Sequence, residues 1–310
     1  MSKVNMLDLP AEEFARKLDK RSKASATFFV VSILVFILIY FGTYISDMMV
    51  IFSDLDDNIS KIHYIISALV RNLAGWVVIV GIIVILFRSA REVVWTQSIF
   101  VEQCDPRKYV DVADWRVKLN RHMYKNTYLG RYCFNYVSAL GYLKEYEQAF
   151  ARLDEISQKK LKPMRAIYYN FKRGNLYADL GKIDESKKCL ESLDSLLASG
   201  KYKGMKLSSA TRYRDNLEGI IALAEGNYNR AAEIYRKLLE KKEDRLNTII
   251  YNHRLGMAEY NAGNYMDAYM ALSKAYDQGK DTKLPIMAEV NEKYFELKDK
   301  VNSLFGKTIA

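Results

Sequence analysis

Two stretches interrupt an otherwise mixed pattern of apolar and polar positions. Between Lys23 and Asp47 lie 23 residues without a charge, ASATFFVVSILVFILIYFGTYIS. A second run, Ile65 to Phe87, reads IISALVRNLAGWVVIVGIIVILF and holds one charge, Arg71, near its start. A helix of about 20 apolar residues crosses a bilayer core of about 30 Å. Both runs therefore predict membrane spans, at about 25–46 and 65–87. Two such runs so close together are hard to hide in a small soluble core. A cleaved leader fits the first run poorly: its apolar core is too long, and Tyr44-Ile45-Ser46-Asp47-Met48 holds no small-x-small site. A retained anchor is the expectation.

Charge flanking the runs predicts their orientation. Lys3, Arg16, Lys17, Lys20, Arg21 and Lys23 precede the first span, and Arg88, Arg91, Arg107 and Lys108 follow the second. The segment between them has only Lys61 against Asp47, Asp54, Asp56 and Asp57. The expectation is a hairpin with both ends cytoplasmic and a short acidic loop outside. Arg71 is expected to snorkel to the nearer interface, with Tyr64 and Trp76 as anchors. The sequon Asn58-Ile59-Ser60 lies close to the membrane and carries little weight. Residues 1–24 read as a basic amphipathic segment, either lying on anionic lipid headgroups or serving as the ordinary basic flank of a span; the latter is simpler.

Beyond Phe87 the apolar spacing becomes helical and repeats. Four copies share a helix, a turn carrying Gly or Lys, an aromatic or Ile two residues on, then Ala or Ser at the start of a second helix. The turns are Lys144-Glu145-Tyr146, Gly181-Lys182-Ile183, Gly226-Asn227-Tyr228 and Gly263-Asn264-Tyr265, followed by Ala149, Ser186, Ala231 and Ala268. Gly174, Gly219 and Gly256 recur upstream, where close helix crossing needs a small residue. One pair cannot bury its apolar face alone, so a stack of pairs forms the core and its ends need caps. Ile286, Val290, Tyr294, Leu297 and Val301 predict a closing helix, with Pro285 in its first turn. The longer middle period falls at 199–204, a basic surface loop or helix extension.

Between anchor and repeats, residues 89–129 form a helical connector. Asp105 is placed to cap a helix that Pro106 opens, and Cys104 beside them is expected to be partly exposed. Cys133 and Cys189 are expected to be small core fillers. His122 and His253 read as surface or groove residues.

The repeat resembles the tetratricopeptide repeat (TPR) family over about 130–283. The last two copies match best, through Gly219, Gly226, Tyr228, Ala231 and Tyr235, and through Gly256, Tyr260, Gly263, Tyr265, Ala268 and Ala275. The resemblance implies an α-solenoid of about four helix pairs; with the hairpin (25–88) and the capping helix and tail (284–310) read above, the expectation is an all-α chain. The Cys-Asp-Pro sequence after the spans resembles membrane-anchored repeat proteins of Gram-positive bacteria, which implies a bacterial plasma membrane.

In that family the first helix of each pair lines a concave groove. The positions that match are Arg131 and Asn135, then Tyr168, Phe171, Lys172 and Asn175, then Tyr213 and Asn216, then His253 and Arg254. Amides and cations among aromatics suit a protein or peptide partner: amides hold its backbone, cations its carboxylates. The family's two-carboxylate clamp needs Lys and Asn one turn apart on the first helix, where this chain has Phe134 and Ser138. That form of binding is not supported.

Net charge is +10, from 47 Lys and Arg against 37 Asp and Glu. The excess is spread in small clusters, and no nucleic-acid module occurs, so an anionic membrane surface explains it more simply than nucleic acid. There is no C-x-x-C pair, phosphate loop, dinucleotide fingerprint, zinc-protease helix or nucleophile elbow, and no nucleophile–base pair stands out. The expectation is a scaffold without cofactor or metal, not an enzyme. The rival reading is a component or assembly factor of a membrane complex, in which Ala74, Gly75 and Gly81 pack the second span on a partner.

Overall fold

The computed structural model describes residues 6–51, 57–119, 133–156 and 161–305. Among them the chain is all-helical, with no strand. It divides into two compact units, Met1–Trp95 and Thr96–Ala310.

The first unit is built on α1 (Ala11–Ile51) and most of α2 (Asp57–Val101), both long and apolar enough to cross a membrane. The amphipathic segment and the first span are one helix, because neither Gly nor Pro interrupts the chain between Ala11 and Phe41. Phe14 and Leu18 on its first turns are fully buried. The short loop expected between the spans is likewise mostly helix, reaching Ile51 on one side and starting again at Asp57 on the other.

Polar contacts join the two helices. Arg88 Nη1 donates to Ser25 Oγ at 3.3 Å, and the Arg21 guanidinium lies 4.9 Å from the centre of the Trp95 ring. Toward the other end Arg71 does not simply snorkel: its Nη1 pairs with Asp47 Oδ2 at 2.5 Å. His63 Nε2 lies 3.3 Å from Asp47 Oδ1 and 3.2 Å from Ser46 Oγ. The small residues of α2 divide: a Cβ on Gly81 would meet Phe28 of α1 at 3.6 Å, whereas one on Gly75 would meet nothing within 4 Å.

The second unit contains the last turn of α2, then α3 (Pro106–Leu119), α4 (Cys133–Tyr142), α5 (Tyr146–Asp154), α6 (Pro163–Asp179), α7 (Ile183–Ala198), α8 (Met205–Ala224), α9 (Tyr228–Leu239), α10 (Arg245–Asn261), α11 (Tyr265–Gly279) and α12 (Met287–Phe305). From α4 on, each helix packs on the next in sequence, and the first helices of neighbouring pairs also meet, α4 on α6 and α6 on α8. Short turns set this up. Gly181, Gly226 and Gly263 have φ of 71°, 79° and 84°, and Lys144, at the same place in the first turn, has φ of 60°. That left-handed backbone reverses the chain with one residue, and glycine adopts it without the steric cost that lysine carries.

The small residues lie where helices cross. A Cβ on Gly256 would fall 2.5 Å from Leu272 Cγ, and one on Gly174 would fall 2.7 Å from Leu217 Cδ2. Ser186 stands where the other copies have Ala because its Oγ donates to the Gly174 carbonyl at 2.9 Å, which ties α7 to α6. Asp105 Oδ1 accepts from the Lys108 N–H at 2.9 Å, so it caps α3, and Pro106 opens that helix. Pro285 sits in the turn just before α12 instead of inside it.

Two side chains differ from expectation. Cys104 is fully buried, with φ of 50°, and burial pushes its thiol up to about 12. Tyr202, in the basic loop 199–204, is buried and donates its hydroxyl to the Pro163 carbonyl at 2.9 Å, so the loop is anchored at its centre. Cys133 and Cys189 are buried in the helical packing.

Candidate functional site

The first helices of the four pairs present one face each to a common cavity of about 490 Å³. The face repeats at helical spacing: Asn135, Ser138 and Tyr142 on α4; Phe171, Lys172 and Asn175 on α6; Ser209, Arg212, Tyr213 and Asn216 on α8; Asn247, Ile250, Tyr251 and Arg254 on α10. The last turn of α2, through Gln97, Phe100 and Val101, and the turn 242–244 before α10 complete the walls. Residues of this last turn belong to the core of the unit. Ile99 is fully buried, Phe100 packs 5.2 Å from the Tyr109 ring, and the Glu102 carbonyl accepts from Arg245 Nη1 at 3.1 Å.

Of the ten groove positions expected from the repeat, seven line this cavity: Asn135, Phe171, Lys172, Asn175, Tyr213, Asn216 and Arg254. Arg131 lies outside the described residues. Tyr168 serves packing, its ring 5.6 Å from Phe134 and 5.0 Å from Tyr213. His253 turns away from the cavity walls; it is buried, and its Nε2 lies 3.3 Å from Glu289 Oε2 on α12. His122 is outside the described residues.

Inside the cavity the cations differ in how they are held. Arg212 pairs with Glu243, the residue before the α10 cap. Asp244 is engaged as that cap, accepting from the Asn247 N–H at 2.8 Å and its side-chain amide at 2.9 Å. Arg254 donates to Asn216 Oδ1 at 2.9 Å and lies 5.9 Å from the Tyr235 ring centre. Asn216 also reaches the Tyr251 hydroxyl at 3.4 Å, so it positions Arg254 more than it faces the open space. The Lys172 ammonium lies 4.7 Å from the Phe171 ring centre. Burial pushes its pKa down to about 8, and the charge of Arg254 adds to that effect. Among the described residues, neither Lys172 nor Arg254 has a carboxylate at ion-pair distance. Asn175 Oδ1 is buried there without a hydrogen-bond partner.

A second cleft of about 600 Å³ lies among α9, α10 and α11. Its buried acid, Glu259, is already neutralised, by Arg236 at Oε1 and by the Asn264 amide at Oε2. That cleft is balanced within itself, whereas the cavity along α4, α6, α8 and α10 keeps open charge and an open acceptor. Among the described residues no group of three His, Cys, Asp or Glu could hold a metal ion.

Periodicity could have found Tyr142 and Tyr251, one or two turns from Asn135 and Arg254 on the same faces. No local signal marks Gln97, Phe100 or Val101, which reach the site only because α2 ends against it. The comparisons with known proteins leave the chain by itself: no family model, no curated protein and no solved structure matches it.

Proposed function

We propose that this chain is a membrane-anchored scaffold whose TPR-like array recruits a protein or peptide partner at the cytoplasmic face of the membrane, of bacterial plasma-membrane type. In this reading α1 and α2 span the bilayer as a hairpin, with both chain ends cytoplasmic. The four helix pairs form a short solenoid that α12 caps. The observation that carries the reading is the convergence of seven amide, cationic and aromatic groove positions on one cavity. Amides and cations that line a cavity bind through hydrogen bonds and charge without needing a reaction.

The test uses the full chain in detergent or nanodiscs, with partners captured from the native membrane extract. Asn135→Ala combined with Asn175→Ala removes two amides that the fold itself uses little. Each lost hydrogen bond costs about 0.5–1.5 kcal/mol, so capture of the specific partner should fall several-fold while melting is unchanged. Undiminished capture would reject the cavity as the docking site. Topology is tested by cysteine labelling, helped by the burial of Cys104, Cys133 and Cys189. Asn58→Cys should react with an impermeant reagent in intact cells, and Ser199→Cys only after lysis.

The open face at Gly75 favours one second reading, in which the spans themselves pack on a membrane partner. Replacing both spans by unrelated ones of equal length separates the two: a scaffold keeps its partner, an intramembrane component loses it.

A further inference from the structure

We propose that the cavity along α4, α6, α8 and α10 is a binding site for a small organic anion, with Lys172 and Arg254 taking the charge and Asn175 accepting a hydrogen bond from a hydroxyl or amine of the same molecule. This goes beyond recruitment of a protein and does not depend on it.

The charge argument comes first. Two half-buried cations, Lys172 and Arg254, and the exposed Lys242 line one cavity without a carboxylate at ion-pair distance among the described residues, although charges withdrawn from water are ordinarily paired. The nearest acids act on the two without touching them: Glu243 pairs with Arg212, Asp244 caps α10 and reaches Lys172 only through space, and Asp179, which shares a small pocket with Lys172 and Asn175, reaches Arg254 only through space. The residues of this unit outside the description, 120–132, 157–160 and 306–310, contain no Asp or Glu. No further side-chain carboxylate can therefore come from them, and an anionic ligand would give Lys172 and Arg254 the direct partner that Asp244 and Asp179 do not.

Geometry then argues for a small molecule. The space is walled by four helices, by the last turn of α2 and by the turn 242–244, and about 490 Å³ is within the range of small-ligand sites. Phe171 and Tyr213 pack on each other, their ring centres 5.0 Å apart, and with Tyr251 on the next helix they give the cavity an aromatic wall. Arg254 is preorganised, since Asn216 holds its guanidinium and so reduces the ordering cost on binding. The Asn175 Oδ1 atom, buried and without a partner, is a vacant acceptor.

Carboxylate and phosphate share the required chemistry, so the experiment carries one of each. Phenyl phosphate, benzoate and the neutral ring phenol are titrated into the full chain in detergent, read by melting temperature and by calorimetry at pH 7. At least one anion should bind and raise the melting temperature, and phenol should bind at least ten-fold more weakly. Lys172→Gln should weaken the anion at least five-fold. Arg254→Lys, which keeps charge but loses the fork, should weaken it less and serves as a second variant that retains the cavity's charge. Lys201→Gln with Lys203→Gln, in the outer loop, should leave binding unchanged. Equal binding of anion and phenol would overturn the proposal, as would an anion that binds the Lys172 variant as tightly as the native chain. Partner capture is scored separately, by the Asn135 and Asn175 double variant, so failure of one reading is not mistaken for failure of the other.

Discussion

In the hairpin Leu38 is 71% exposed, while in the helical unit Leu272 is 0% exposed; both are leucines on helices of the same chain. The hairpin turns its apolar side chains outward and its polar ones inward: Ser25, Ser32 and Ser67 are buried, and Arg71, Asp47 and His63 meet between the helices. The helical unit does the reverse, with Leu, Ile and Ala enclosed and charges on its outer faces, such as the Arg230–Glu218 and Lys293–Glu296 pairs. The difference teaches that apolarity alone does not say where a side chain goes. In the proposed membrane placement, helices apolar all round have nothing to gain from hiding one face from lipid, so hydrogen bonds and charge pairs would hold them together. Amphipathic helices in water are held by removing apolar area from it.

The strongest way to break this comparison is to move its boundary. A soluble fragment starting at residue 96 retains Ile99, Phe100 and Cys104 in its core, whereas one starting at 105 loses them. Losing one buried Phe and one buried Ile should cost about 5 kcal/mol, seen in urea unfolding as a large drop in midpoint. Equal midpoints would show that the last turn of α2 is a passive linker. Next in size, Leu272→Ala should cost about 2–5 kcal/mol by cavity formation, while Leu38→Ala in the full chain should leave the unfolding of the helical unit unchanged. Similar losses at both positions would remove the contrast.

A smaller effect comes from Lys172. Its pKa in the folded chain, about 8, lies below the ordinary lysine value of 10.5. Between those values the unfolded chain binds more protons, so stability rises as pH increases through that window and is lowest where Lys172 is charged, below pH 8. The charged groups around it are Arg254 and Asp244 on the α10 side, the Arg212–Glu243 pair in the same cavity and Asp179 on its own helix. Lys172→Met should flatten the rise and stabilise the chain at pH 7 by about 1–2 kcal/mol, measured by urea unfolding at pH 7 and 9.5. An unchanged pH profile would mean that the ammonium is hydrated and that the cavity is not a charged, dry site. The smallest effect is at Lys144, whose φ of 60° suits glycine. Lys144→Gly should stabilise by about 1 kcal/mol, and a loss instead would mean that the side chain compensates for its backbone.

Much of the architecture was readable in residue order. The two apolar runs, the turns at Gly181, Gly226 and Gly263, the cap at Asp105 and the close crossings at Gly174 and Gly256 follow from local requirements: span length, positive φ, an unsatisfied N–H, or the absence of room for a Cβ. Seven of the ten positions that the family resemblance picked out line one cavity, and helical spacing accounts for residues such as Phe171, Lys172 and Asn175 sharing a face. Spacing, however, cannot separate a side chain that faces open space from one that packs beside it. Tyr168 shares the face of lining residues, and only its neighbours, Phe134 and Tyr213, decided its role; His253, beside Arg254 in the sequence, points to Glu289 instead.

What the residue order determined by itself is therefore what depends on near neighbours: which segments are helices, where they turn, and which two are apolar enough for a membrane. What only the tertiary structure decided is what depends on distant residues meeting. Arg71 finds Asp47 across 24 positions, and Arg254 finds Asn216 across 38. Arg245 on α10 takes the Glu102 carbonyl at the end of α2 across 143 positions. Whether a cation in a cavity ends up paired is a property of the assembled surroundings. Lys172 is identical in sequence terms to any solvated lysine, and its depressed pKa comes from the burial that packing imposes and from Arg254 nearby.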